Sequence, residues 1–114
     1  LYIGYDPWHI SDELLAAFEQ EFGRNVMVKV RQGVLTLSQP MKDLKAEFQE
    51  KKIVYNNNPI DKWCLINTEE KKDVNGNVQP VKSDERTRRI DGTAALLDAY
   101  VVYCNKRDEF ESLI

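Results

Sequence analysis

The first third of the chain runs through an apolar segment, an amphipathic segment and a second apolar segment, and this order constrains the fold most. Residues 1–6 are rich in Tyr and Ile and are typical of a short buried strand. Residues 12–22 repeat leucine and phenylalanine at helical spacing between Ser11, a favourable N-cap, and Gly23, a C-terminal stop. Residues 26–32 alternate apolar and polar side chains, as a half-buried strand does. The pattern predicts a βαβ unit with parallel strands and a right-handed crossover.

The rest of the chain predicts a second helix, a short third helix, a polar hairpin and a long closing helix. The second helix is expected to begin at Ser38 as its N-cap, with Pro40 in the first turn. The hairpin spans residues 67–82 and turns at Asn75-Gly76, a pair that favours two-residue loops. The closing helix covers about residues 90–108 and is strongly apolar. These elements predict an α/β protein.

Length, charge and cysteine content limit the classes of function that the chain can have. The 114 residues suffice for a single domain, and no apolar stretch is long enough to span a bilayer. The chain opens in a strand without Met or signal-peptide features, which predicts a piece of a longer polypeptide. A net charge of −3 argues against avid nonspecific DNA binding by this piece alone. Cys64 and Cys104, with His9, cannot supply four zinc ligands, so reduced thiols are expected.

Three acids are placed where two elements begin or end. Asp6 closes the first predicted strand, at the carboxyl end where open α/β sheets place their ligands. Asp91 opens the closing helix, and Asp98 follows nearly two turns later on the same face. The small residues Gly92, Ala94 and Ala95 leave one side of the first two turns almost bare, so this helix can lie very close to a sheet. The placement predicts a divalent-metal site suited to phosphoryl transfer.

Simpler explanations of the same residues stay open at this point. Asp6 fits a cap on the loop before the Ser11 helix, or an Asp-Pro turn. Asp91 fits a favourable partner of the helix dipole. His9 is either a general base or an exposed loop residue. Four basic side chains before Asp91 either hold phosphates or form a solvated connector: Lys82, Arg86, Arg88 and Arg89.

A series of motifs then follows in order along nearly the whole chain: Tyr5-Asp6-Pro7-Trp8, Arg31-Gln32-Gly33, Ser38–Leu44, Asn58–Trp63, Asn67, Asp73–Lys82 and Arg89–Ala95. Together they resemble the C-terminal nuclease domain of the large terminase subunit of tailed bacteriophages and prophages, truncated at its N-terminal side. The resemblance implies a partial RNase H-like fold: a parallel βαβ core with flanking helices, a polar β-hairpin and a long C-terminal helix. It covers residues 1–114 as one domain.

The resemblance also implies an activity. Members of this family cut concatemeric viral DNA during genome packaging, with acids that bind two Mg²⁺ or Mn²⁺ ions. Asp6 matches the family's strand-end acid and Asp91 its helix acid, while Asp98 is a further candidate ligand. Lys82 matches the family's Pro-x-Lys position, and we infer a role for it near the DNA phosphates. Arg86, Arg88 and Arg89, which collect before Asp91, are further candidate DNA contacts. The implied partners are double-stranded DNA, the portal and the small terminase subunit in the host bacterial cytoplasm, without a membrane.

The family carries one more acid on a strand upstream of the segment that Leu1 begins. The strand at residues 1–6 is therefore expected to leave one edge unpaired, which predicts a homodimer through that edge and weak or absent activity of these residues alone. Two alternatives are kept: a noncatalytic interaction module of the packaging machinery, and another RNase H-like nuclease such as a resolvase or transposase.

Overall fold

The computed structural model describes residues 1–82 and 88–113. Its elements in chain order are β1 (Ile3–Tyr5), α1 (Asp12–Phe22), a 3₁₀ turn (Arg24–Val26), β2 (Met27–Lys29), α2 (Val34–Gln49), α3 (Pro59–Asn67), β3 (Thr68–Lys72), β4 (Val78–Lys82), α4 (Asp91–Asn105) and α5 (Arg107–Ser112). None of the helices in these two ranges has the length and apolar character needed to cross a membrane.

The predicted βαβ unit is confirmed. β1 and β2 pair in parallel, with Gly4 opposite Val28 at the centre of the register. The Ser11 hydroxyl accepts a hydrogen bond from the backbone N–H of Leu14 at 3.1 Å, so it caps α1 as its residue type predicts. Gly23 ends the helix with a φ of 97°, a backbone conformation that favours glycine.

The apolar face of α1 is only partly covered. No residue of α1 is buried, and Leu14 and Phe22 remain 50% and 43% exposed. Within the described ranges α1 packs mainly against the 3₁₀ turn and β2. Helical spacing therefore predicted the helix correctly, whereas the depth of its burial depends on what packs beside it.

The second helix begins about one turn earlier than expected, and the prediction that Ser38 is its N-cap is wrong. α2 starts at Val34, with Gly33 as N-cap at a φ of 115°. Ser38 is buried inside the helix, where its hydroxyl accepts a hydrogen bond from the backbone N–H of Val78 in β4 at 3.0 Å. Pro40 consequently lies in the helix interior, where it cannot donate a backbone hydrogen bond. A serine that resembles a cap instead joins the helix to the hairpin.

The hairpin pairs β3 and β4 antiparallel, as expected, but its loop is longer than two residues. Residues 73–77 join the strands. The Asp73 carboxylate accepts hydrogen bonds from the backbone N–H groups of Asn75 and Asn77, each at 2.9 Å. Gly76 takes a φ of 78°. An Asx-type loop ordered by Asp73 therefore replaces the predicted two-residue turn.

Helix α4 is the centre of the structure and packs against β1, α2 and α3. The buried apolar core lies along it and consists of Val30, Leu37, Leu44, Leu97, Tyr100, Val101 and Val102. The predicted closing helix is divided, because α4 ends at Asn105 and the short helix α5 follows after Lys106.

Two glycines allow α4 to approach its neighbours closely. A Cβ atom placed on Gly4 would lie 2.7 Å from Val102 Cγ2 and 3.0 Å from the Asp98 carbonyl oxygen, so only glycine fits between β1 and α4. A Cβ atom on Gly92 would lie 3.3 Å from the sulfur of Cys64 in α3. The bare first turn of α4 thus contacts a helix, while the close approach to the sheet occurs at Gly4.

Candidate metal and DNA site

Asp6 is held at the carboxyl end of β1 by a local turn. Its Oδ1 accepts a hydrogen bond from the backbone N–H of Trp8 at 2.9 Å, and its Oδ2 lies 2.6 Å from His9 Nδ1. The Asp6 side chain is 23% exposed, whereas that of His9 is 84% exposed. The turn contacts of the simpler explanation are therefore present, and they fix the carboxylate at the strand end.

β1 and α4 run in opposite directions, which determines what Asp6 faces. At the start of β1, the ring of Tyr2 lies 4.9 Å from Lys106 Nζ, beyond the last residue of α4. Further along β1, Gly4 lies against Val102, nearer the middle of the helix. Asp6 consequently lies towards the first half of α4, which begins at Asp91 and reaches Asp98 at the midpoint of the helix.

The structure places Asp98 in the neighbourhood of Asp6, because the Asp98 backbone lies against Gly4, two residues before Asp6. Asp98 is half-buried on α4, and this burial raises the pKa of its carboxyl group. A hydrogen bond of 3.2 Å from the Gln32 amide opposes that pKa shift, and the negative charge of Asp6 adds to it. Two carboxylates near each other in a half-buried position favour the uptake of a proton or a cation.

Asp91 is exposed in the first turn of α4. It shares a helical face with Asp98, but the two lie about 10 Å apart along the axis at the usual rise per residue. Within residues 1–82 and 88–113, no hydrogen bond or ion pair joins Asp91 to Asp6 or Asp98. The helix dipole favours its negative charge at this position. A shared cation between Asp6 and Asp91 stays a prediction.

Basic residues collect near the same end of α4. Lys82 is exposed at the end of β4 and pairs with Thr68 across the hairpin. The Thr68 hydroxyl lies 2.9 Å from that of Thr93, in the first turn of α4. This contact brings the end of the hairpin to the start of the helix, so Lys82 lies on the side of the molecule where Asp91 begins α4.

Asn67 joins α3 to the two arginines before α4. It is 1% exposed; its Nδ2 donates to the Arg89 carbonyl at 3.0 Å, and its Oδ1 accepts from Arg88 Nη1 at 3.0 Å. Arg88 therefore has a structural role in addition to its predicted contact with DNA. Arg86, the remaining basic candidate, lies outside the described residues.

Sequence reasoning gave no role to Gln32 or Asn67, although both lie in the motifs that carry the resemblance. The role of neither residue can be inferred from periodicity or charge, because each acts through a contact between segments that are distant in the sequence. For Asn67 one signal exists: it is a polar residue that ends the largely apolar helix α3.

The candidate ligands are carboxylate oxygens, which suit a hard divalent cation, but the described residues supply too few of them for a complete site. Within the described ranges, no group of three or more His, Cys, Asp or Glu side chains is arranged to hold a metal ion. Carboxylate oxygens are nevertheless the ligands that Mg²⁺ and Mn²⁺ prefer. Asp6 and Asp98 supply such oxygens from two elements, so these residues fit part of a site for such an ion.

Comparisons with known proteins agree with this architecture. The family model described as terminase large subunit, endonuclease domain, matches residues 2–106. Protein YmfN of Escherichia coli (strain K12) is 36% identical over 75 residues, which are 63% of this chain and 16% of that protein. The crystal structure of the HK97 bacteriophage large terminase aligns with a TM-score of 0.69 and 21% identity, over 87% of this chain and 20% of that one.

The chain thus spans a fifth or less of the length of these two proteins. The likeness to the HK97 structure confirms the expected α/β, partial RNase H-like fold. Because the family model covers almost all of the sequence, the chain belongs to the endonuclease-domain family of terminase large subunits.

Proposed function

We propose that this chain is part of a divalent-metal-dependent DNA endonuclease that cuts concatemeric viral DNA during genome packaging. One observation carries the proposal beyond family membership: Asp6 follows the end of β1, and Gly4, two residues before it, packs against the backbone of Asp98 on α4. The negative charge of Asp6 also contributes to the raised pKa of Asp98. Placing two carboxylates together is unfavourable unless a cation or a proton compensates them. The family match favours this role over a resolvase or transposase.

Asp6 and Asp91 are the proposed metal ligands, and Asp98 is a third ligand or an outer contributor. Bound Mg²⁺ or Mn²⁺ supplies Lewis-acid stabilisation of the charge that develops during phosphodiester hydrolysis. The contribution of the chain is geometric. The Asp6 turn fixes one carboxylate at the end of β1, and the close contact at Gly4 holds α4, with its acids, against that strand.

Double-stranded DNA is the proposed substrate, held through its phosphates by Lys82, Arg86, Arg88 and Arg89. Lys82 and Arg89 are exposed beside the start of α4, where a phosphate group would lie near Asp91. Because the net charge is −3, attraction of DNA has to be local. The portal and the small terminase subunit, in the host bacterial cytoplasm, are the further proposed partners.

A Mn²⁺ titration of the 114-residue chain followed by NMR tests the proposed site. We expect paramagnetic broadening centred on the backbone amides near Asp6, Asp91 and Asp98. Asp6→Asn should remove it, because asparagine keeps the shape of the side chain but loses its charge. Asp12→Asn, an exposed acid in the first turn of α1, is the matched control. Broadening that is absent or spread over the surface would favour the alternative, a noncatalytic interaction module.

The unpaired edge of β1 supports a proposal about the isolated chain. Within the described ranges β1 pairs with β2 alone, so the backbone groups along its other edge are available to pair with a further strand. We expect a second copy to pair along this edge and the chain to cleave DNA weakly or not at all. Sedimentation as a strict monomer would contradict the dimer, and robust Mg²⁺-dependent cleavage would contradict the inactivity.

A further inference from the structure

The side chain of Gln32 connects the end of β2 to the acid on α4. Its Nε2 atom donates to the Val30 carbonyl at 2.9 Å and to Asp98 Oδ1 at 3.2 Å. A primary amide carries two N–H donors, and here each has one oxygen acceptor. Because both neighbours are acceptors, the NH₂ end of the amide has to face them, and the orientation of the side chain is determined.

The anchor of this amide is rigid. Val30 is 1% exposed in the hydrophobic core, and its own backbone N–H donates to the Tyr5 carbonyl at 2.8 Å. Tyr5 is the last residue of β1 and directly precedes Asp6. A single buried residue therefore holds both the strand end that carries Asp6 and the amide that contacts Asp98.

The contact occupies one oxygen of Asp98 and leaves the other available. In the described ranges Gln32 is the hydrogen-bond partner of the Asp98 carboxylate, through Oδ1. The second oxygen, Oδ2, has no hydrogen-bond partner there. A carboxylate that accepts a hydrogen bond at one oxygen keeps a fixed orientation, so its other oxygen can face a cation. Hydrogen-bond donors beside metal ligands commonly orient them in this way.

We propose that Gln32 is a positioning residue that orients Asp98 next to Asp6 for binding a divalent cation. The inference rests on the proposed function and takes Asp98 as the third ligand of that site, because it presupposes that Asp98 binds Mg²⁺ or Mn²⁺ together with Asp6. Gln32 acts through Asp98 and needs no contact of its own with the ion. Partners of this kind change metal affinity by about 10- to 100-fold when they are removed.

The test compares Mn²⁺ affinity in Gln32→Leu and in the unsubstituted 114-residue chain, from the broadening of the Tyr5, Asp6 and Asp98 amides. We expect the dissociation constant of Gln32→Leu to rise about 10-fold or more. Gln32→Asn keeps the amide but shortens the side chain, and we expect a similar loss because it cannot reach both acceptors. Since Gln32 is exposed, both variants should retain the thermal unfolding temperature of the parent within a few degrees.

Gln39→Leu is the matched control. Gln39 is also exposed and also donates to a carboxylate, Asp43 Oδ1 at 2.9 Å, but within α2. Its Mn²⁺ affinity should equal that of the parent. If Gln32→Leu bound Mn²⁺ as tightly as the parent, the positioning role would be overturned while the metal site would stand. The same would follow if Mn²⁺ broadened the amides of Asp6 and Asp91 in the parent but not that of Asp98. Absence of localised broadening in the parent would overturn both this inference and the proposed metal site.

Discussion

In a full-length terminase large subunit that carries this domain, Asp91→Asn and Asp6→Asn are each expected to lower Mn²⁺-dependent plasmid cleavage by about a hundredfold or more. Asparagine has nearly the shape of aspartate but no charge, so it is a poor ligand for a hard cation. The loss should exceed that caused by removing a residue that only supports a ligand. Initial rates of supercoiled-plasmid cleavage over a range of Mn²⁺ concentrations measure it.

Two further variants make this experiment specific. Asp98→Asn should reduce cleavage less than Asp91→Asn if Asp98 is an outer contributor, and equally if it binds the ion directly. Asp108→Asn, an exposed acid in the first turn of α5, should cleave at the parental rate. Undiminished cutting by Asp91→Asn would exclude this residue as a ligand. It would leave Asp6 and Asp98, which lie on neighbouring parts of β1 and α4, as the candidate centre.

The parts of the fold that sequence predicts are those that local interactions determine. The Ser11 cap, the Gly23 stop and the helical spacing between them involve residues a few positions apart, and all three are confirmed. The start of α2 was predicted wrongly because Ser38 forms its hydrogen bond with Val78, 40 residues away. Residue type shows that a hydroxyl needs a partner but does not show which segment supplies it.

The same distinction applies to the site. Asp6 and Asp91 were identified because each stands at the boundary of an element, a position visible in the sequence. That the charge of Asp6 acts on Asp98 depends on the direction in which α4 crosses β1, which one sequence does not specify. Gln32 and Asn67 were missed for the same reason, because each connects two segments that only the folded chain brings together.

Asn67→Leu is expected to lower the free energy of unfolding by about 2–4 kcal/mol. Asn67 is 1% exposed, and its amide bonds the Arg88 guanidinium and the Arg89 carbonyl. A hydrogen bond to a charged group contributes about 1.5–3 kcal/mol and one between neutral groups about 1 kcal/mol. Leucine has a similar volume, so the loss arises from the missing polar contacts rather than from a cavity. Urea denaturation followed by circular dichroism measures it.

Asn67→Asp separates the two contacts. Aspartate keeps an acceptor for Arg88, but its ionised carboxylate cannot donate to the Arg89 carbonyl and places an oxygen against it, so Asn67→Asp should also lower stability. Asn105→Leu, at the exposed last position of α4, is the matched control and should change stability by less than about 0.5 kcal/mol. Equal stability of Asn67→Leu and the parent would show that the two arginines are held before Asp91 by other contacts. A measured loss of stability would instead show that Asn67 holds the basic segment before the candidate site against α3.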